Sequence, residues 1–283
     1  MNRYIQLPVL TIVMATALMG CGDANKKQKE GAAAAPTEVS GPDLQGRELA
    51  YSTDTTEMKG YLAYDGNLKG KRPGIIVVHE WWGHNDYSRK RADMLAELGY
   101  VALAVDMYGD GKVAAHPDDA GKFSGMVMQN IDVAKARFDA ALAALKSDPN
   151  VDPDKISAIG YCFGGSVVLT MADMGTDLDV VAAFHSGVQL PVMPSDKLTA
   201  TVLVCNGAAD PFVSPESVEA YKKAMDSINA DYKYVSYPGA QHAFTSKEAD
   251  SLGKKFNLPL AYQQEADEKS WAELTSLLTS TYQ

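Results

Sequence analysis

From Met58 onward, short apolar runs without polar alternation recur between segments of helical period. Gly74-Ile75-Ile76-Val77-Val78-His79, which follows Pro73, is one such run. Residues 100–105 (YVALAV), 155–160 (KISAIG), 180–184 (VVAAF) and 201–205 (TVLVC) repeat the type. A strand with one wet face alternates polar and apolar residues, whereas a strand covered on both faces does not. These runs therefore predict the inner strands of a parallel sheet, and residues 232–237 (YKYVSY) predict one more strand. In the segments between them, Met94, Leu95 and Leu98 share a helical face over 88–98, and Gly99 is a stop signal. Ile131, Ala134, Phe138, Ala141, Leu142 and Leu145 mark a second stripe that ends near Pro149. Pro215 opens a helix over 215–228, and a last helix spans about 262–278. A β–α alternation implies right-handed crossovers. The predicted class is α/β: a doubly wound, mostly parallel sheet with helices on both faces.

The N-terminal segment lies outside this pattern. Asn2-Arg3 give a short basic start, residues 4–18 are largely apolar, and Leu18-Met19-Gly20-Cys21 follows. This predicts a secretory signal over residues 1–20, too short for a comfortable membrane span. Leu-x-Gly-Cys resembles the bacterial lipobox, which implies cleavage before Cys21 and lipid on that cysteine. Residues 21–44 have no apolar period and predict a flexible tether. Residues 45–283 remain for a single domain, roughly 240 residues, enough for one sizeable core. Lipid on Cys21 would anchor the chain to a membrane in the cell envelope. Gly22 is not the aspartate associated with inner-membrane retention, so the expected location is the periplasmic side of the outer membrane.

The net charge of -10 argues against a nucleic-acid partner, because phosphate binding needs clustered Lys and Arg. Of three cysteines, Cys205 lies within an apolar strand run and reads as packing, not as a disulfide partner for Cys162. Nothing in the sequence fixes an oligomeric state; a monomer is the expectation.

Cys162 has a different setting, in Ala158-Ile159-Gly160-Tyr161-Cys162-Phe163-Gly164-Gly165-Ser166. A predicted strand precedes it and a predicted helix, GGSVVLTMADM, follows. Gly-x-nucleophile-x-Gly between strand and helix is the pattern of a nucleophile elbow. Glycines allow strand and helix to approach closely there. The helix N-terminus favours thiolate, and the Phe163 N–H points to where an oxyanion would form. A passive cysteine in a glycine-rich turn would show the same local spacing, so the residues downstream decide. Asp210 lies in the loop after the 201–205 run, and His242 lies just past the 232–237 strand. The order nucleophile, Asp, His belongs to this fold, and sites in open α/β sheets gather at the carboxyl ends of strands.

With these residues in view, the chain resembles the dienelactone hydrolase family of α/β-hydrolases over roughly residues 61–278. The resemblance rests on HEWWG (79–83), VDMYGDG (105–111), GYCFGG (160–165), GAADPFV (207–213) and GAQHAF (239–244). It implies an α/β-hydrolase fold and a catalytic triad of Cys162, Asp210 and His242. It also implies that Glu80 contacts the cysteine and helps convert it to thiolate, and that the Trp81 N–H completes the oxyanion hole with Phe163. Trp82, Tyr108, His185 and Phe244 are the expected substrate-pocket residues. The family's arginines for a substrate carboxylate are missing: Asp110 and Ser246 stand in those places, with Lys247 one residue off. An aspartate repels a carboxylate, so neutral esters or lactones are the expected substrates.

His79-Glu80-Trp81-Trp82-Gly83-His84 superficially resembles a zinc-protease motif. The second histidine comes five residues on, whereas two ligands on one helical face need a spacing of four, so no metal is expected. The implied activity is hydrolysis of a carboxylic ester or lactone through a covalent acyl-enzyme, with no cofactor. An acyltransferase using the same triad and a non-catalytic envelope binding protein are the alternatives.

Overall fold

The computed structural model describes residues 41–283. The proposed signal over 1–20, the lipid site Cys21 and the tether up to residue 40 lie outside the described residues. In the described part, the strands are β1 (Leu44–Ser52), β2 (Glu57–Asp65), β3 (Arg72–Val78), β4 (Val101–Val105), β5 (Val151–Tyr161), β6 (Val180–Phe184), β7 (Thr201–Gly207) and β8 (Tyr232–Tyr237). The helices are α1 (Asp86–Glu97), α2 (Pro117–Met128), α3 (Ile131–Lys146), α4 (Phe163–Asp173), α5 (Pro215–Ser227), α6 (Ala249–Phe256) and α7 (Gln264–Tyr282).

The strands form one sheet in the order β1-β2-β4-β3-β5-β6-β7-β8. From β4 to β8 every pair is parallel, while β1 pairs with β2, and β2 with β4, in antiparallel fashion. The chain winds from β3 outward to β4, then returns to place β5 on the other side of β3. That reversal makes a crevice at the carboxyl ends of β3 and β5, where ligands of open α/β sheets bind.

Period-two geometry divides the inner strands between two cores. Ile76, Val78, Leu103 and Val105 face a core closed by α3, α4 and α5, through Phe138, Val167 and Tyr221 among others. Ile75, Val77, Ala102 and Ala104 face a second core closed by α1 and α7, through Leu95, Leu274 and Leu278. This two-sided burial is why the strands read as continuous apolar runs. Phe138 has no exposed surface, and truncating it to Ala would cost about 3–5 kcal/mol.

Four elements were not evident in the sequence. The edge strand β1 and its inner neighbour β2 carry charges and glycines, and β1 is largely exposed. α2 contains two glycines, and α6 is only eight residues long. Among the described residues, no helix is long and apolar enough to cross a membrane.

Candidate active site

β5 passes into α4 through Cys162, whose backbone adopts φ 54 and ψ -116. A non-glycine residue in this region stores strain of order 1–3 kcal/mol. The turn is possible because its flanking residues lack side chains. A Cβ on Gly160 would lie 2.1 Å from the Gly164 carbonyl oxygen, and one on Gly164 would lie 2.4 Å from the Val78 carbonyl oxygen. The Cys162 N–H donates to Phe184 O at 2.9 Å, which ties the turn to the end of β6. The thiol thus sits at the N-terminus of α4.

Asp210 and His242 enter from loops past β7 and β8. Asp210 Oδ1 accepts from the Phe212 N–H at 2.9 Å, and Oδ2 accepts from His242 Nδ1 at 2.8 Å. With Nδ1 committed to the carboxylate, Nε2 faces Cys162 Sγ at 3.0 Å. Burial alone would lower the His242 pKa. The Cys162 and Asp210 side chains outweigh burial and lift it to about 10.

The loop that carries His242 is braced from behind. Thr245 Oγ1 bonds His185 Nε2 at 2.7 Å and Tyr87 OH at 2.5 Å. Its carbonyl accepts from Arg91 at 2.7 Å. Arg91 also pairs with Asp267 at 2.7 Å and lies over the rings of Tyr87, Tyr161 and Trp271. Sequence reasoning missed this brace because its members are scattered between residues 87 and 271.

Among the described residues, neither the Trp81 nor the Phe163 amide donates to a protein acceptor. Both flank Cys162 at the crevice. The peptide carrying the Trp81 N–H is held at its other end, where His79 Nδ1–H donates to Glu80 O at 2.5 Å. His79 Nε2 accepts from the Met107 N–H at 3.2 Å. Burial lowers the His79 pKa to about 4, so the ring is neutral and its two roles are fixed. Tyr108 OH donates to Trp81 O at 2.9 Å.

Glu80 is 5% exposed. Burial raises its carboxyl pKa to about 7, with His242 and Arg91 opposing part of the shift. No side-chain hydrogen bond joins it to Cys162 among the described residues. Glu80 lines a neighbouring cavity of about 290 Å³ with Trp82, Tyr87 and Ser246. The hydrogen-bond partner of the thiol is His242.

Cys162 opens into a separate cavity of about 440 Å³. Trp81, Phe163, Phe212, Leu258 and Leu260 line it, together with the face of α2 formed by Gly121, Ser124, Gly125 and Met128. The four expected pocket residues lie elsewhere. Trp82 faces the Glu80 cavity. Tyr108 and Phe244 are fully buried; Tyr108 packs behind Phe163, and Phe244 packs against Tyr237 and His185. His185 is spent on Thr245. Tyr108, His185 and Phe244 each follow a strand, but their side chains turn into the supporting layer. Asp110 is exposed and pairs with Lys112 at 2.7 Å, outside the cavity. The repulsion expected from Asp110 therefore does not arise there. The pocket-facing positions of α2 were legible only as Gly-x-x-Ser-Gly-x-x-Met, a helical spacing of small residues that carries no chemistry by itself.

Sheet, elbow and crevice together define an α/β-hydrolase. Over residues 58–282 the chain matches the family model described as the dienelactone hydrolase family, and it belongs to that family. It is a hydrolase of the ester and lactone class. The solved structure named m3DLH is 34% identical, with a TM-score of 0.81, covering 85% of this chain and 100% of its own. A dienelactone hydrolase-like promiscuous phosphotriesterase from metagenomic libraries is 33% identical, with a TM-score of 0.77 over 85% of this chain and 100% of its own. Protein usf of Aquifex pyrophilus is 29% identical over 212 residues, which is 73% of this chain and 90% of that protein.

Proposed function

We propose that Cys162 cleaves uncharged carboxylic esters or lactones through a covalent acyl-enzyme. The observation that carries this reading is the continuous chain Asp210 Oδ2–His242 Nδ1 at 2.8 Å and His242 Nε2–Cys162 Sγ at 3.0 Å. The raised pKa of His242 holds the thiol's proton on Nε2, and the thiolate sulfur attacks the carbonyl carbon. The resulting oxyanion accepts from the Trp81 and Phe163 amides. The tetrahedral species collapses, the C–O bond breaks, and the leaving alkoxide takes the proton from His242. A water then gives its proton to His242 and its oxygen to the acyl carbon. Collapse of this second tetrahedral species returns the proton to sulfur and releases the acid. Asp210 keeps the Nδ1 proton in place throughout. Glu80 acts through charge on His242, because its carboxylate stabilises the imidazolium that each step forms.

A panel of neutral esters and lactones, assayed for acid release with wild type and Cys162→Ala, tests this reading. Turnover should be lost in the variant. Transfer of the acyl group to an added alcohol, with no acid released, would assign an acyltransferase instead.

The N-terminal sequence supports a membrane-tethered form of this enzyme. Leu18-Met19-Gly20-Cys21 favours cleavage before Cys21 and lipid on its sulfur, with the catalytic domain held at the periplasmic side of the outer membrane. Mass spectrometry of the mature N-terminal peptide reads this directly: a diacylated Cys21 is expected, and an unmodified N-terminus elsewhere would contradict it.

A further inference from the structure

Glycine is the poorest helix former after proline, yet the 12-residue helix α2 contains two. Elsewhere in this fold a close approach explains such residues. A Cβ on Gly160, Gly164, Gly165 or Gly207 would come within 3 Å of a neighbouring atom. At Gly121 a Cβ would meet nothing within 4 Å, and at Gly125 it would meet only Gln129 Nε2, at an ordinary 3.5 Å. Neither residue has positive φ. Packing and backbone conformation therefore do not call for glycine at either place. Both residues line the cavity that holds Cys162, with Ser124 and Met128 on the same helical face.

We propose that this face of α2 is the wall that sets substrate size, and that the missing side chains leave room for a bulky apolar group. The substrate class is an uncharged ester or lactone whose acyl part is a medium-length alkyl chain or an aryl ring. The rest of the lining fits such a group: Phe212, Leu258 and Leu260 are apolar, and no Lys, Arg, Asp or Glu lines the cavity. This inference rests on the ester and lactone reading of Cys162. It adds which wall selects and what it selects.

The test compares kcat/KM for p-nitrophenyl acetate and octanoate in wild type, Gly121→Leu, Gly125→Leu and Gly125→Ala. The octanoate-to-acetate ratio should fall at least tenfold in the leucine variants, and less in Gly125→Ala. Gly125→Ala should also raise Tm by about 2–4 °C, since a helix gains by the exchange and nothing clashes. Binding of a neutral non-hydrolysable ketone, 2-decanone, followed by calorimetry, separates the wall from the chemistry. Tenfold weaker binding to Gly125→Leu supports the wall even if wild type cleaves neither ester, in which case the hydrolase reading alone fails. An unchanged ester ratio, equal ketone binding in wild type and variant, or no ketone binding by wild type would overturn the wall.

Discussion

His79 Nδ1 and the Glu80 carbonyl oxygen lie 2.5 Å apart, and that carbonyl belongs to the same peptide plane as the Trp81 N–H. The buried ring thus orients one of the two proposed oxyanion donors from behind. His79→Phe keeps a ring between Tyr108 and Phe163 but removes both hydrogen bonds. Losing an oxyanion donor outright costs about 10²–10³ in kcat; a tilted donor should cost roughly tenfold to a hundredfold. Steady-state kinetics should show the fall in kcat with KM nearly unchanged. A rise in KM alone would mean the ring serves binding, not the transition state.

The elbow makes a steric prediction. A Cβ on Gly160 would lie 2.1 Å from Gly164 O, a backbone atom that cannot swing aside. Gly160→Ala must therefore move the start of α4 and the thiol with it. The expected result is loss of nearly all ester turnover together with destabilisation of about 2 kcal/mol or more by urea titration. Wild-type turnover in this variant would show that the elbow tolerates a Cβ.

Glu80 gives stability a defined pH dependence. Its folded pKa of about 7 stands above the ordinary 4.5. Between those values the folded protein holds a proton that the unfolded chain has released, so this group makes stability fall as pH rises from about 4.5 to 7 and level off above. Glu80→Gln removes the effect. The variant should exceed wild type at pH 8 by up to roughly 3 kcal/mol, and the gain should vanish near pH 4. Equal stability at pH 8 would contradict the buried, unpaired carboxylate.

Substrate charge follows from the cavity walls. With no Lys or Arg among the lining residues, and both ring nitrogens of His242 already held by Asp210 and Cys162, a substrate carboxylate would lose water without gaining a partner. A neutral ester should be cleaved at least tenfold more efficiently than a carboxylate-bearing analogue of the same size. A preference for the anion, read as the ratio of kcat/KM values, would contradict the assignment of this cavity.

The sheet was legible because its inner strands are buried on both faces, which leaves runs such as Ile75–Val78 and Val101–Val105 without polar interruption. β1 was not, because an exposed edge needs no such run, and neither was β2, where Glu57, Lys59 and Gly60 interrupt the apolar positions. The proposed triad could be read because Cys162, Asp210 and His242 each follow a strand, in an order the fold dictates. The pocket could not. Strand-end position tells where Tyr108, His185 and Phe244 start, but whether a side chain turns toward the cavity or the supporting layer depends on partners far away in sequence. Thr245 captures His185, and Trp81 O captures Tyr108. Glu80 illustrates the same limit: its place after β3 was evident, but not the turn of its side chain into a different cavity from that of the thiol.

The central claim is a thioester on Cys162. Rapid-quench mass spectrometry of the wild-type protein mixed with excess p-nitrophenyl ester, followed by peptide mapping, measures it directly. One acyl group should appear on the peptide containing Cys162 within the first turnover, and none should appear in Cys162→Ala, which should release no acid above background. Acid release at the wild-type rate from Cys162→Ala, or an acyl group mapped to a different residue, would contradict the account.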